Sequence, residues 1–261
     1  MSEPVLSLTR EGGCARVTLA RPAVRNAFNA ELIARLRDAF GALGADPAVR
    51  VVVLAGEGKT FCGGADVNWM RGSLELSEAE NVRDAEAMSD MYRAIDGCPK
   101  PVIARVHGGA LGGGAGLCAV ADAVVASEET VFGFTETKLG IIPAVISPFV
   151  LAKIGVSHAR RLFLTGERFG AQRAQAIGLV HEVVHFDALD GTVDAIVAEL
   201  ESAGPGAVAA AKALIRGVGA ASYEDSRGLT ARAIAQQRTT PEGQEGLRAF
   251  LERRAASWTG R

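Results

Sequence analysis

The sequence contains no Cys-x-x-Cys pair. Its four cysteines, Cys14, Cys62, Cys98 and Cys118, lie far apart. That spacing leaves no thiol-pair metal or redox motif, and it fits small core residues in a reducing compartment. No apolar run is long enough to span a bilayer. The opening Met1-Ser2-Glu3-Pro4 lacks a basic region followed by an apolar one, so no signal peptide is expected. Net charge is also nearly absent, at −2. Without a basic footprint nucleic acid is not the favoured partner, although local arginine clusters suit a polyanionic small molecule. A cytoplasmic protein without membrane contact is expected.

What is present is glycine, concentrated in His107-Gly108-Gly109-Ala110-Leu111-Gly112-Gly113-Gly114-Ala115-Gly116-Leu117. The stretch follows the apolar run Val102–Val106, which reads as a buried strand, and runs into Leu117–Val120, which can continue a helix. So many glycines between strand and helix carry a large entropic penalty. They make sense where a ligand must touch bare backbone, at a helix start whose N–H groups are still unpaired. The familiar glycine chemistries are missing. No Lys-Ser/Thr follows as in a P-loop, the Gly-x-Gly-x-x-Gly spacing fails at Leu117, and no Gly-x-Ser-x-Gly elbow occurs. An amide-donor site for an oxyanion remains.

With 261 residues, 48% hydrophobic and 22% charged, the chain has the make-up of one large globular domain or a domain with an appendage. Val5–Leu8 and Ala15–Leu19 read as strands joined by a turn at Glu11-Gly12-Gly13. Asn29 is an N-cap candidate for a helix carrying Leu32, Ile33, Leu36, Phe40 and Leu43 on one face. Val49–Leu54 reads as a strand leading to a second glycine loop, Gly56–Asp66, and residues 78–96 read as a helix with Met88, Met91, Tyr92 and Ile95. A strand at 123–126 follows, then helices near 145–154, 157–164 and 171–177, and from about 187 the pattern is helical throughout. Mixed strands and helices followed by helices alone predict an α/β body with a helical appendage.

His181-Glu182-Val183-Val184-His185 matches the zinc-protease pattern H-E-x-x-H. That chemistry needs a helix, whereas this segment is β-branched and opened by Gly178. On a strand, residues four apart lie ~13 Å from each other at ~3.3 Å per residue, too far to share an ion. No metal is assigned. His107 is expected to be structural and His158 to lie on the surface.

Several ordered pieces together resemble the enoyl-CoA hydratase/isomerase (crotonase) superfamily. They are Arg21-Pro22 with Asn26-Ala27-Phe28, Phe61–Val67, Gly108–Gly116, Phe132–Glu136 with Gly140–Pro143, Ala176–Val180, and Glu245–Phe250 with Glu252-Arg253-Arg254. The resemblance implies an α/β fold: a ββα spiral core over residues 1–190 with an acyl-CoA site, and a C-terminal helical region over 191–261 that packs trimers or dimers of trimers. It implies a lyase with no separate cofactor, CoA being part of the substrate. The thioester oxygen is then held by the N–H groups of Ala65 and Gly113, with Glu136 as acid/base. Arg25, Gly64, Ala65, Asp66, Val67, Asn68, Gly113 and Gly116 fall at substrate-binding positions, and Arg253 or Arg254 is a candidate for a CoA phosphate. For Asp66 a helix N-cap is a parallel reading.

Hydratases of this superfamily pair two glutamates, and the position of the first is Gly116 here. One enzyme reading is an isomerase in which a single carboxylate moves a proton between Cα and Cγ. The other is a hydratase or dehydratase in which glycine makes room for a distal carboxylate on the substrate, since a glutamate there would repel it. Val67-Asn68-Trp69-Met70, Gly113–Leu117 and Ile142–Phe149 resemble bacterial 3-methylglutaconyl-CoA hydratases of leucine breakdown. This favours interconversion of 3-methylglutaconyl-CoA and 3-hydroxy-3-methylglutaryl-CoA, or a close branched glutaconyl-CoA. A non-enzymatic RNA-binding or scaffolding member is the remaining alternative, disfavoured by the near-neutral charge and by the intact donors.

Overall fold

In the computed structural model, which describes residues 4–259, β1 (Leu6–Glu11) pairs antiparallel with β2 (Cys14–Leu19) across the expected turn. The opening Met1–Glu3 lies outside the described residues. Asn29 accepts a hydrogen bond from Leu32 N at 2.9 Å and opens α1 (Ala30–Ala45), whose five predicted face residues are all buried. β3 (Val51–Gly56) follows, then α2 (Val67–Ser73) and α3 (Glu78–Gly97), the latter started by a reciprocal Ser77–Glu80 capping box.

The glycine stretch holds one element beyond the expected strand, loop and helix. Between β4 (Val102–Val106) and α4 (Gly113–Val120) lies a three-residue strand, β5 (Gly109–Leu111). Glycine content hid it, because such residues have poor strand propensity and only tertiary pairing makes them extended. The next turn of chain repeats the plan with β6 (Ala123–Ser127), β7 (Val131–Gly133) and α5 (Ser147–Thr165). α5 breaks at Gly155, whose φ of 73° separates the two helices expected there. β8 (Arg168–Gly170), α6 (Ala171–Ala176) and β9 (Glu182–Val184) complete the body. The histidine pattern therefore brackets a strand rather than riding on a helix. His181 Nδ1 accepts from Val124 N at 2.9 Å, and His185 accepts from Asp187 N.

Six strands form one sheet in the order β1-β2-β3-β4-β6-β9, parallel from β2 onward, and three form a second in the order β5-β7-β8. A parallel sheet needs cover on both faces, and the sequence supplies it by alternation. Val52 and Leu54 of β3 pack with α1, α3 and α4, while Val51 and Val53 face the other way with Ile103 and Val125. Each such side chain, fully buried, contributes about 1.5–3 kcal/mol.

That second face is covered by α7 (Leu189–Ser202) through Leu189 and Val193. α7 straddles the boundary expected at 190 and packs on the sheet of the body. The appendage is α8 (Pro205–Ala220), α9 (Tyr223–Thr239) and α10 (Pro241–Glu252). Glu242 at the head of α10 accepts from Gly206 N at 2.9 Å and Ala207 N at 2.7 Å, so one carboxylate caps α8 and locks the two helix starts together. No helix among the described residues is long and apolar enough to cross a membrane.

Candidate active site

Short pieces of parallel pairing bind the first glycine loop edge to edge, to the segment before α1 on one side and to the second glycine loop on the other. Phe28 pairs with Ala65, and Cys62 pairs with Ala110 of β5. The first bridge uses Phe28 N to Gly64 O at 2.7 Å and Asp66 N to Phe28 O at 2.9 Å; the second uses Cys62 N to Gly109 O and Leu111 N to Cys62 O, both at 3.0 Å. Gly64 has a φ of 96°, and a Cβ there would lie 2.9 Å from Leu111 O, so only glycine permits this approach.

A buried asparagine fastens the first loop. Arg25 and Asn26 both adopt left-handed backbone, at φ 56° and 54°. The Asn26 side chain accepts from Arg21 N at 2.8 Å and donates to Glu57 O at 2.9 Å and Thr60 O at 2.8 Å. Asn26→Ala would orphan three backbone groups, of which each buried one costs about 1–3 kcal/mol. Loss of roughly 3–5 kcal/mol of stability is the expected result. A urea titration showing less than 1 kcal/mol would refute it.

Ala65 and Gly113 share a further property: neither N–H has an acceptor among the described residues. Both residues line a cavity of about 690 Å³ together with Gly64, Gly112 and Glu136. Glu136 begins the 3-10 turn Glu136–Leu139 just after β7. Its Oε1 lies 3.1 Å from where a Cβ of Gly112 would stand, and its Oε2 is buried without a hydrogen-bond partner. Burial pushes its carboxyl above the usual glutamate range. An orphaned carboxylate beside two free amide donors is an arrangement a merely structural residue would not keep. The rest of the wall is mostly apolar, with Met88, Leu139, Ile142 and Val145, and it includes Asp84 of α3. No described lining residue is Lys, Arg or His.

Of the predicted positions, the fold brings together Gly64, Ala65, Gly113 and Glu136. Arg25 is exposed beside Gly63, whose Cβ position would lie 3.2 Å from Arg25 Cβ, at the rim of the loop. Val67 and Asn68 are exposed on α2 and do not line the cavity. Asp66 is the helix N-cap that its position suggests, at the start of α2. It is 5% exposed, caps α2 by accepting from Asn68 N, and pairs with Arg21 at 2.7 Å, which holds its carboxyl below the usual range against the raising effect of burial.

Gly116 does not line the cavity. It is buried outside the cavity wall, because Ile146 Cγ2 would overlap a Cβ there and Tyr92 Oη stands 3.0 Å from that point. Ile146 and Tyr92 occupy the space beside Gly116. Arg254 is engaged by Glu245 and Glu252, both at 2.7 Å, and Arg253 is the left-handed C-cap of α10. His107 is structural as expected: its Nε2 lies 2.8 Å from Gly58 O, and burial holds its pKa down. Sequence reasoning missed Tyr92, Ile146 and Asp84 as determinants of the site. Tyr92 looked like any member of an apolar helix stripe, and nothing local distinguishes it.

Residues 9–261 match the family model for enoyl-CoA hydratase/isomerase. Crotonyl-CoA hydratase of Syntrophomonas wolfei is 34% identical over 96% of both chains. The 2,3-dehydroadipyl-CoA hydratase of Escherichia coli is 32% identical over the whole of both. The crystal structure of an enoyl-CoA hydratase from Shewanella pealeana superposes with a TM-score of 0.94 at 36% identity, over 98% of this chain and 96% of that one. With the fold and the carboxylate-lined cavity already in view, these matches show that the chain belongs to the enoyl-CoA hydratase/isomerase family.

Proposed function

We propose that the chain adds water across, or removes it from, the α,β double bond of an enoyl-CoA thioester with Glu136 as its one acid/base. The carrying observation is the buried, unpartnered Oε2 of Glu136 in a cavity that also holds the free N–H groups of Ala65 and Gly113. In hydration Glu136 takes a proton from water as its oxygen bonds to Cβ. The π electrons move toward the thioester, whose oxygen becomes an oxyanion held by the two amides. Glu136 then returns a proton to Cα and the carbonyl reforms. Each preorganised donor is worth about 3 kcal/mol of barrier, and the start of α4 adds the favourable end of its dipole to Gly113. CoA arrives with the substrate, so the step needs no further cofactor.

The acyl group that suits this cavity is uncharged. Its wall is mostly apolar, with Ser73, Asn81, Thr135 and Asp84 but no cation, so a distal carboxylate would find hydrogen-bond partners and no counter-charge. A second reading, 3-methylglutaconyl-CoA to 3-hydroxy-3-methylglutaryl-CoA, is favoured by the motif pattern around Val67–Met70 and Ile142–Phe149. The ultraviolet band of the conjugated thioester separates them. Crotonyl-CoA is expected to lose the band at least tenfold faster than 3-methylglutaconyl-CoA, and Asp84→Arg to narrow the gap by raising kcat/KM for the diacid. The reverse preference would replace the first reading by the second. A band that appears from a 3-enoyl-CoA, with no hydration of either compound, would establish the isomerase instead.

Ile215, Leu247, Phe250 and Leu251 are exposed on α8 and α10, which supports the expected self-association into trimers or hexamers. Light scattering that shows a single chain at micromolar concentration would end that reading. The unpaired cysteines, three of them buried, support a reducing compartment such as the cytoplasm.

A further inference from the structure

We propose that Tyr92 is a positioning residue for this reaction: its hydroxyl fixes the glycine backbone that presents the Gly113 N–H. The proposal rests on the reading above that this N–H receives the thioester oxygen. Tyr92 is fully buried on α3 and does not line the cavity, so it does not touch substrate. Its Oη donates to Gly113 O at 2.7 Å. The ring is held by Phe28, edge-on at a centroid distance of 6.4 Å, and by Phe149 at 5.8 Å.

The need for such an anchor follows from the sequence. Gly112, Gly113 and Gly114 have no side chains by which neighbours can grip them, and glycine backbone explores more φ/ψ space than any other. A donor that stabilises developing charge must already be in place before the charge appears. Hydrogen bonds supply what side chains cannot. Gly112 N donates to Gly133 O at 2.8 Å and Gly112 O accepts from Gly116 N at 3.1 Å on one side of the Gly113 N–H, and Tyr92 grips Gly113 O on the other. The absence of a Cβ at Gly113 is what lets the hydroxyl approach, since that Cβ would lie 2.9 Å from Tyr92 Oη, 2.9 Å from Met88 Cε and 3.0 Å from Phe28 Cε2. The same hydroxyl closes off the space beside Gly116. One side chain thus serves both features that set this site apart: the steadied donor and the closed second-carboxylate slot.

A buried tyrosine needs some partner, and a bare structural role would make Gly113 O merely the nearest acceptor. Kinetics and spectroscopy distinguish the two. Tyr92→Phe keeps the ring and removes the hydroxyl. It is expected to lower kcat about tenfold with KM within twofold, because the loss falls on an interaction that strengthens in the transition state. The carbonyl stretch of bound crotonyl-CoA carrying ¹³C at the thioester carbon should move back toward its value in water. Ile95→Ala removes core packing from the same helix and leaves the hydroxyl and both ring contacts, so its kcat should stay within twofold of the parent even if its melting temperature falls as far. Tyr92→Phe with unchanged kcat and an unmoved carbonyl band would overturn the proposal, as would an equal kcat loss in Ile95→Ala. Failure of the underlying reading shows elsewhere: Glu136→Gln would keep its activity, whatever Tyr92 does.

Discussion

Glu136→Gln is expected to lower kcat by about a thousandfold and leave KM nearly unchanged, within the range general acid–base groups contribute. Glutamine keeps the shape and much of the polarity but cannot exchange a proton. The effect should therefore fall on kcat and kcat/KM together, the signature of an interaction made in the transition state. Direction matters for pH. Glu136 must begin as a carboxylate both to take a proton from water in hydration and to take one from Cα in dehydration. Burial raises its pKa, so kcat/KM should climb with pH through a limb lying above the usual glutamate range, and the limb should vanish in the variant. Stability should move oppositely. A carboxyl whose folded pKa exceeds its unfolded one supports the fold below the unfolded value, and that support is lost as pH rises through the folded one. At neutral pH the ionised, unpartnered Oε2 therefore works against folding, and Glu136→Gln should melt higher than the parent. A variant that stays active, or a limb that persists in it, would remove Glu136 from the proposed chemistry.

Glu136 was legible in the sequence because its neighbours announce it: an apolar Val131–Phe134 run ahead, a Gly140–Pro143 turn behind, and a recognisable motif across both. The α1 helix was legible for similar local reasons, its Asn29 cap and five-residue apolar face. What escaped was set by partners remote in sequence. Asp66 carries the pattern of a helix cap and of a family binding position, and only the approach of Arg21, 45 residues away, shows where its charge is spent. β5 is strand because Cys62 and β7 flank it, not because Gly-Ala-Leu prefers to be extended. α7 looked like the first helix of an appendage, since helical periodicity does not say which surface a helix will cover.

Gly116 misled for the same reason, and it supports the second strong prediction. A missing glutamate reads, in one dimension, as a missing side chain and hence a space. In three dimensions α3 and the segment before α5 bring Tyr92 and Ile146 into that space. Gly116→Glu should accordingly fail to restore a two-carboxylate site. Its Cβ would overlap Ile146 Cγ2 and lie within 3.1 Å of two Tyr92 atoms. Its carboxylate would then be buried without a cation, since the cavity nearby offers none. Overpacking and an unpaired charge together place the substitution in the class that destabilises by more than about 4–5 kcal/mol. In a chain of this size that corresponds to a fall of at least about 10 °C in Tm, or to insoluble protein. Gly116→Ala isolates the steric part at about 1–3 kcal/mol. Combining it with Ile146→Ala should return some of that loss, because the two side chains compete for one volume and their effects cannot add. A Gly116→Glu protein that melts with the parent and hydrates faster would mean the slot opens readily, and the single-carboxylate site would then be a matter of sequence alone rather than of packing.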